Sequence, residues 1–248
     1  MTLLQPDPPP SVGNTPPIPK KGGVELAGMF SHAPPVMIVG TGRSGSSYIA
    51  KLLQHVQIEC GHENWWTPMA SRQRFELDAD SSWMAAPFMD PMDYGTETFI
   101  YKGVKLLQVR EPLAVISSYM GILNGKFMRG EALDDPFWRL HIAALPRLAF
   151  SKDAAYNAAS WWYEMNKYSL ERVDHWWRVE DMGTDLLLQV CEWAKWTIDP
   201  QVAADAVEQV REDTHTLKWK KPRMGWEDIP TGIREQCQEL ADELGYER

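Results

Sequence analysis

An apolar strand that runs into a glycine-rich loop and then a helix constrains this chain more than any other feature. The four apolar residues 36–39 precede Gly40, and a short apolar run of this kind predicts a buried parallel strand. From Ile49 onward, residues 46–56 carry apolar side chains at the i, i+3, i+4, i+7 spacing of one helix face. The order strand, glycine loop, helix predicts the start of an α/β fold.

The same alternation continues along the chain. Residues 104–109 are a second strand candidate with Leu-Leu-Gln-Val at its centre, and Pro112 stands where a helix can begin without losing a hydrogen bond. The remaining predicted elements are a strand at 175–179 and helices at 153–172, 186–194, 201–210 and from Ile233 to Leu244. Strands that alternate with helices predict a P-loop-type parallel β-sheet flanked by helices on both faces.

Proline dominates the first 33 residues, with Pro6, Pro8, Pro9, Pro10, Pro16, Pro17 and Pro19. Proline fixes φ and lacks an amide donor, so we predict a disordered, extended N-terminal tail over residues 1–33. A partner-binding arm and a plain linker both remain open for it, with the linker favoured. Residues 34–248 are then predicted to form a single α/β domain.

Charge and cysteine content exclude several function classes. The net charge of −9 argues against a general nucleic-acid binder, which has to neutralise phosphates. The three cysteines are far apart in sequence and lack zinc-ligand or redox spacing, which favours reduced thiols in a cytoplasmic setting. We expect no membrane span, because the chain has no run of 18 apolar residues, and no secretion signal. The oligomeric state stays open.

The loop between the first strand and helix has the composition of an anion-binding site. Glycines let successive amides point inward, and the following helix adds its positive end. The residues predicted to contact the anion are Gly42, Arg43, Ser44, Gly45, Ser46 and Ser47. The lysine that follows the last glycine of a nucleotide-hydrolysing loop is replaced by serine, which argues against ordinary ATP or GTP hydrolysis. The alternative without a function is a tight β–α turn that binds no ligand.

Two segments resemble motifs of the sulfotransferase superfamily. Residues 41–47 resemble the loop that binds the 5′-phosphosulfate of the donor. Residues 109–118 resemble the family's 3′-phosphate segment, in which an arginine ends a strand and a serine follows eight residues later, here Arg110 and Ser118. The alternative for Arg110 is an ion pair with Glu111 or Glu180. Softer matches are residues 80–83, 178–182 and 244–246.

The resemblance implies an activity and a donor. The donor would be 3′-phosphoadenosine 5′-phosphosulfate (PAPS) and the product adenosine 3′,5′-bisphosphate (PAP), with no metal. The acceptor would be a small molecule or carbohydrate that offers a hydroxyl or amine. Arg43 would stabilise the charge that develops on the departing phosphate. A basic segment at 218–226 either closes over the donor or forms a solvated turn.

A carboxylate is expected as the general base. Bacterial sulfotransferases that the chain resembles have a catalytic glutamate in the loop after the first helix, which points to Glu63, and His62 is its rival. Adjacent side chains of an extended segment point in opposite directions, so we expect one of the two to face the acceptor. Trp65 and Trp66 follow as candidate walls of the acceptor pocket or as core residues.

Two other functions compete with the transferase. A P-loop kinase for a small molecule would need a lysine after Gly45 and an acidic magnesium ligand, and neither is evident. A nucleotide-binding protein without catalytic activity would not require Arg43 or Glu63.

Overall fold

The computed structural model describes residues 33–63, 77–94, 97–121, 151–214 and 223–246. Outside these ranges lie the predicted tail up to residue 32, Trp65 and Trp66, and residues 218–222 of the basic segment. Within them the strands are β1 (Val36–Val39), β2 (Cys60–His62), β3 (Ala79–Ser81), β4 (Met92–Tyr94), β5 (Glu97–Phe99), β6 (Val104–Val109) and β7 (His175–Arg178).

Five of these strands form one parallel sheet in the order β2-β3-β1-β6-β7. The two predicted apolar strands are therefore neighbours at its centre, with Val36 opposite Val104. Strands β4 and β5 form a separate antiparallel pair. The predicted parallel sheet is confirmed.

The described helices agree with the predicted ones to within a few residues. They are α1 (Ser46–His55), α2 (Pro112–Gly121), α3 (Ala154–Leu170), α4 (Thr184–Trp193), α5 (Pro200–Thr214) and α6 (Thr231–Glu243). Short 3-10 turns cover Trp83–Met89, Val179–Asp181 and Trp226–Asp228. No helix in the described ranges is both long and apolar enough to cross a bilayer.

Side-chain alternation in β1 divides the core between the two faces of the sheet. Met37 and Val39 belong to a buried cluster that includes residues of α2, α3 and α6. Val36 and Ile38 belong to a second cluster with α1, α4 and α5. Because alternate side chains point to opposite faces of a strand, helices cover both faces, as predicted.

Local capping explains where two of the helices begin. Pro112 opens α2, and the Glu111 carboxylate accepts hydrogen bonds from the amides of Leu113 at 2.9 Å and Ala114 at 2.5 Å. The Asp153 carboxylate does the same for the first turn of α3. Such side-chain caps satisfy amide groups that have no partner within the helix.

The segment after α1 differs from its prediction as a loop. Residues Cys60–His62 form edge strand β2, which pairs with β3. Neither strand was predicted, because each has three residues and lacks an apolar run. In β3, Asp80 and Ser81 are polar but buried. A hydrophobicity pattern therefore does not predict this strand.

Candidate functional site

The loop between β1 and α1 has the backbone shape of an anion cradle. Gly42, Arg43 and Gly45 have φ values of 68°, 58° and 95°, in the left-handed region. In the described part of the chain, the amides of residues 42–47 donate no hydrogen bond. Successive free amides at a helix N-terminus form a concave donor surface that suits phosphate or sulfate.

Two buried aromatic side chains anchor this loop through hydrogen bonds to its backbone. The Tyr119 hydroxyl and the Trp161 indole both donate to the Thr41 carbonyl, the indole at 2.9 Å. Burial raises the pKa of the Tyr119 hydroxyl above its ordinary value, so it remains a neutral donor. A Cβ on Gly42 would lie within 3.0 Å of the Tyr119 hydroxyl oxygen, which is a steric clash because Cβ atoms essentially never approach another atom that closely. Position 42 therefore requires glycine.

The two predicted anion-binding segments meet at Arg43. Its Nε donates to the Ser118 hydroxyl at 2.9 Å, and Arg110 Nη1 donates to the Arg43 carbonyl at 3.0 Å. The indole of Trp162 donates to the Arg110 carbonyl at 3.2 Å and so ties the end of β6 to α3. Arg110 and Ser118, from the segment after β6 and from α2, thus lie beside Arg43 of the loop.

The alternative ion pairs for Arg110 do not occur in the described part of the chain. Glu111 caps α2 instead. Glu180 accepts hydrogen bonds from the Glu111 amide at 2.9 Å and the Tyr246 hydroxyl at 3.0 Å. The Arg110 guanidinium therefore has donors left for a ligand.

His62 and Glu63 lie on the other side of the loop, and the expectation that they point apart is wrong. His62 Nε2 is 3.8 Å from Glu63 Oε1 and 2.9 Å from the Ser46 hydroxyl. Glu63 has φ 57°, so the chain leaves the extended conformation there and both side chains face the same space. Their side chains are 39% and 32% exposed, which leaves them accessible to an acceptor.

Ser44 and Ser47 occupy different environments in the loop. Ser47 is exposed, whereas Ser44 is fully buried and its hydroxyl has no partner in the described structure. The side-chain amide of Gln108, also fully buried, has none either. Both flank Gly40, where a Cβ would collide with the Ser44 hydroxyl. A fully buried glutamine is unusual, and Gln108 in the run Leu106-Leu107-Gln108-Val109 is the sequence signal for this polar spot.

In the described ranges no group of three histidine, cysteine, aspartate or glutamate residues could hold a metal ion.

Of the softer motif matches, residues 178–182 and 244–246 meet in space. Arg178 forms a bidentate ion pair with Asp181, from Nε to Oδ2 at 2.6 Å and from Nη2 to Oδ1 at 2.9 Å. Arg178 also donates to the Gly245 carbonyl. These contacts fasten the C-terminal segment to the end of β7.

Comparison with known proteins finds distant likeness among solved structures. No family profile matches the chain, and no curated protein matches it. Among solved structures, it is similar to the sulfotransferase domain from the curacin biosynthetic pathway, at a TM-score of 0.46 and 12% identity. The alignment covers 87% of this chain and 98% of that one. A likeness at this level does not establish an activity.

Proposed function

We propose that the chain is a sulfotransferase that moves a sulfuryl group from PAPS to a hydroxyl or amine. The observation that carries this proposal is the meeting of the Gly42–Ser47 cradle with Arg110 and Ser118 at Arg43. PAPS carries two separate anionic groups, the 5′-phosphosulfate and the 3′-phosphate. A cradle of free amides beside a second cationic group is the arrangement that such a donor requires.

The residues of the loop fit the 5′-phosphosulfate. The amides of residues 42–47 donate no hydrogen bond in the described part of the chain and would be available to one anion, and Ser46 and Ser47 would add hydroxyl donors. Glycine at position 42 preserves the loop, because a Cβ added there would collide with the Tyr119 hydroxyl. Arg43 would face the bridging oxygen and stabilise the negative charge that develops on the leaving phosphate.

Arg110 and Ser118 would hold the 3′-phosphate. Arg110 Nε and Nη2 have no partner in the described part of the chain, so its planar fork is available for an anion. The Ser118 hydroxyl accepts from Arg43 Nε and can still donate its own hydrogen to a phosphate oxygen. One residue would then connect the two anion subsites.

Glu63 and His62 would supply the proton acceptor. As the acceptor oxygen or nitrogen bonds to sulfur, the bond from sulfur to the bridging oxygen breaks, and PAP leaves with that electron pair. The acceptor's proton passes to the Glu63 carboxylate. His62 would hold the Ser46 hydroxyl and lie next to that carboxylate.

The test combines binding with turnover. PAP should raise the melting temperature more than ATP with magnesium does, because it occupies both anion subsites. Incubation with ³⁵S-labelled PAPS and a panel of sugars, phenols, lipids and amines should label at least one class. Arg43→Ala should abolish the labelling, whereas the matched control Arg234→Ala, on helix α6, should leave it unchanged.

Two results would overturn the proposal. Stronger stabilisation by ATP with magnesium than by PAP would favour the small-molecule kinase. PAP binding without transfer to any acceptor class would favour a nucleotide-binding protein without catalytic activity.

A further inference from the structure

A side-chain hydrogen bond connects the anion cradle to strand β2. Ser46 opens helix α1 and is 7% exposed, and its hydroxyl lies 2.9 Å from Nε2 of His62. A serine hydroxyl has a single hydrogen to donate. The direction of this hydrogen bond therefore decides whether the Ser46 hydrogen is available to an anion in the cradle.

Each direction corresponds to one state of the imidazole nitrogen. When Nε2 has no hydrogen, Ser46 donates to it, and the serine oxygen then presents only lone pairs to the cradle. When Nε2 carries a hydrogen, His62 donates, and the Ser46 hydroxyl can donate in turn to the anion. Because phosphate and sulfate oxygens accept hydrogen bonds, a bound anion stabilises the second state.

The fold holds His62 in place for this contact. His62 is the last residue of β2 and pairs with Ser81 of β3. The amide of the following residue, Glu63, donates to the Ser81 carbonyl at 3.1 Å, so the attachment to β3 continues past the strand. The His62 side chain is nevertheless 39% exposed, which lets the imidazole exchange a proton with water.

The charges closest to the imidazole favour a hydrogen on Nε2. Glu63 Oε1 is 3.8 Å from this nitrogen, and a carboxylate at such a distance stabilises the protonated form of its neighbour. Arg43 is the cation of the cradle, and a bound anion would compensate its charge. Glu63 and the anion are then the two charges that act most directly on His62.

The other titratable groups on the elements that pack against His62 contribute less. Cys60 shares its face of β2, but burial raises the pKa of this thiol, so it stays neutral. Asp80 is one residue away from the partner of His62 in β3 and so points to the opposite face of the sheet. On α1, Tyr48 packs against the second core cluster, and Lys51 and His55 lie more than one turn beyond Ser46.

We propose that His62 is a positioning residue of the cradle. It is protonated when an anion is bound, and it donates from Nε2 to the Ser46 hydroxyl, which then donates to that anion. One proton from water is taken up at Nε2 as the anion binds. The inference rests on the proposed function and deepens it, because an imidazole that already carries this proton leaves Glu63 as the proton acceptor of the transfer step.

Anion binding should therefore depend on pH. Histidine changes charge between about pH 5 and 8. Binding that takes up a proton is strongest at the acidic end of this range, where His62 is already charged, and weakens as the pH rises through it. An opposite charge within about 4–6 Å changes the protonation equilibrium of a group by about tenfold or more, so the affinity should change by about that factor.

Titration calorimetry with adenosine 5′-phosphosulfate measures this effect. The probe has the phosphosulfate of the proposed donor but lacks the 3′-phosphate, so its own charge is constant over the range. The unmodified protein should bind it about tenfold more tightly at about pH 5.5 than at about pH 8. In His62→Gln the side-chain amide can still donate to Ser46 but cannot gain a proton, so the affinity should change by less than about twofold.

Two further proteins serve as controls. His55→Gln removes another histidine, which is exposed and bonded to the Lys51 carbonyl at the end of α1, and it should keep the pH dependence of the unmodified protein. Ser46→Ala removes the hydroxyl through which His62 acts. Adding His62→Leu to Ser46→Ala should therefore weaken binding much less than His62→Leu does alone.

Three results would overturn the inference. The first is a pH dependence that is as steep in His62→Gln as in the unmodified protein. The second is a full effect of His62→Leu in the Ser46→Ala protein, because His62 would then not act through that hydroxyl. The third is an affinity that rises with pH, which would mean that the anion prefers neutral His62.

These failures are distinguishable from failure of the proposed function. In each of the three cases PAP would still stabilise the protein, and labelled PAPS would still transfer its sulfuryl group. If neither adenosine 5′-phosphosulfate nor PAP binds at any pH, the proposed function and the role of His62 are both wrong.

Discussion

Replacing Gly42 with alanine tests the shape of the anion cradle without assuming any activity. The left-handed backbone at φ 68° costs a residue with a Cβ roughly 1–2 kcal/mol. The new Cβ would also collide with the Tyr119 oxygen. Tyr119 is 4% exposed and bonded to Thr41 and Trp161, so displacing it weakens hydrogen bonds worth about 1 kcal/mol each.

The expected loss in the free energy of unfolding is about 2–4 kcal/mol, after subtracting about 0.4–1 kcal/mol for the stiffer unfolded chain. Urea unfolding followed by circular dichroism measures it. Gly232→Ala is the matched control, because a Cβ there meets no atom within 4 Å and the residue lies in helix α6. It should be neutral or stabilising by up to about 1 kcal/mol. A loss below about 1 kcal/mol for Gly42→Ala would refute the loop geometry.

Three other substitutions separate the roles of nearby residues. Arg110→Ala should weaken PAP binding by roughly 2–4 kcal/mol in a titration calorimeter while the fold survives; unchanged affinity would remove Arg110 from the site. Glu63→Gln should lower the turnover number about 10²–10⁴-fold with PAP affinity near wild type, and if His62→Gln alone has this effect, the histidine is the base. Tyr246→Phe should cost about 0.5–1.5 kcal/mol of stability, because its hydroxyl no longer donates to Glu180; an unaltered urea midpoint would contradict that contact.

The elements that could be predicted are those whose burial leaves a periodic apolar pattern. Strands β1 and β6 are central and hydrophobic, and α1 has one apolar face. Strand β3 could not be predicted in this way. It is as buried as β1, yet its residues are alanine, aspartate and serine, and pairing with two neighbours rather than side-chain hydrophobicity keeps it in the sheet.

The candidate site was predictable to the extent that it follows from the topology. Carboxyl ends of adjacent parallel strands share one edge of a sheet, so the loop after β1 and Arg110 after β6 had to lie close together. The hydrogen bond from Arg43 to Ser118 depends on a side-chain conformation that sequence spacing does not determine. The side chains of His62 and Glu63 face the same space because Glu63 has a left-handed backbone conformation. The sequence does not indicate this conformation, because residue 63 is not glycine.

Backbone strain connects the two residues to which we assign the chemistry. Four residues other than glycine have positive φ in the described part of the chain, namely Arg43, Gln57, Glu63 and Lys195. Gln57 and Lys195 follow the ends of α1 and α4, where a left-handed residue commonly closes a helix. No helix ends at Arg43 or Glu63. Glycine at position 43 or 63 would adopt the left-handed conformation without strain. It would, however, remove the guanidinium of Arg43 or the carboxylate of Glu63. Strain of this kind persists where the surroundings enforce it, and the contacts of Arg43 with Ser118 and Arg110 provide that enforcement on the cationic side of the site.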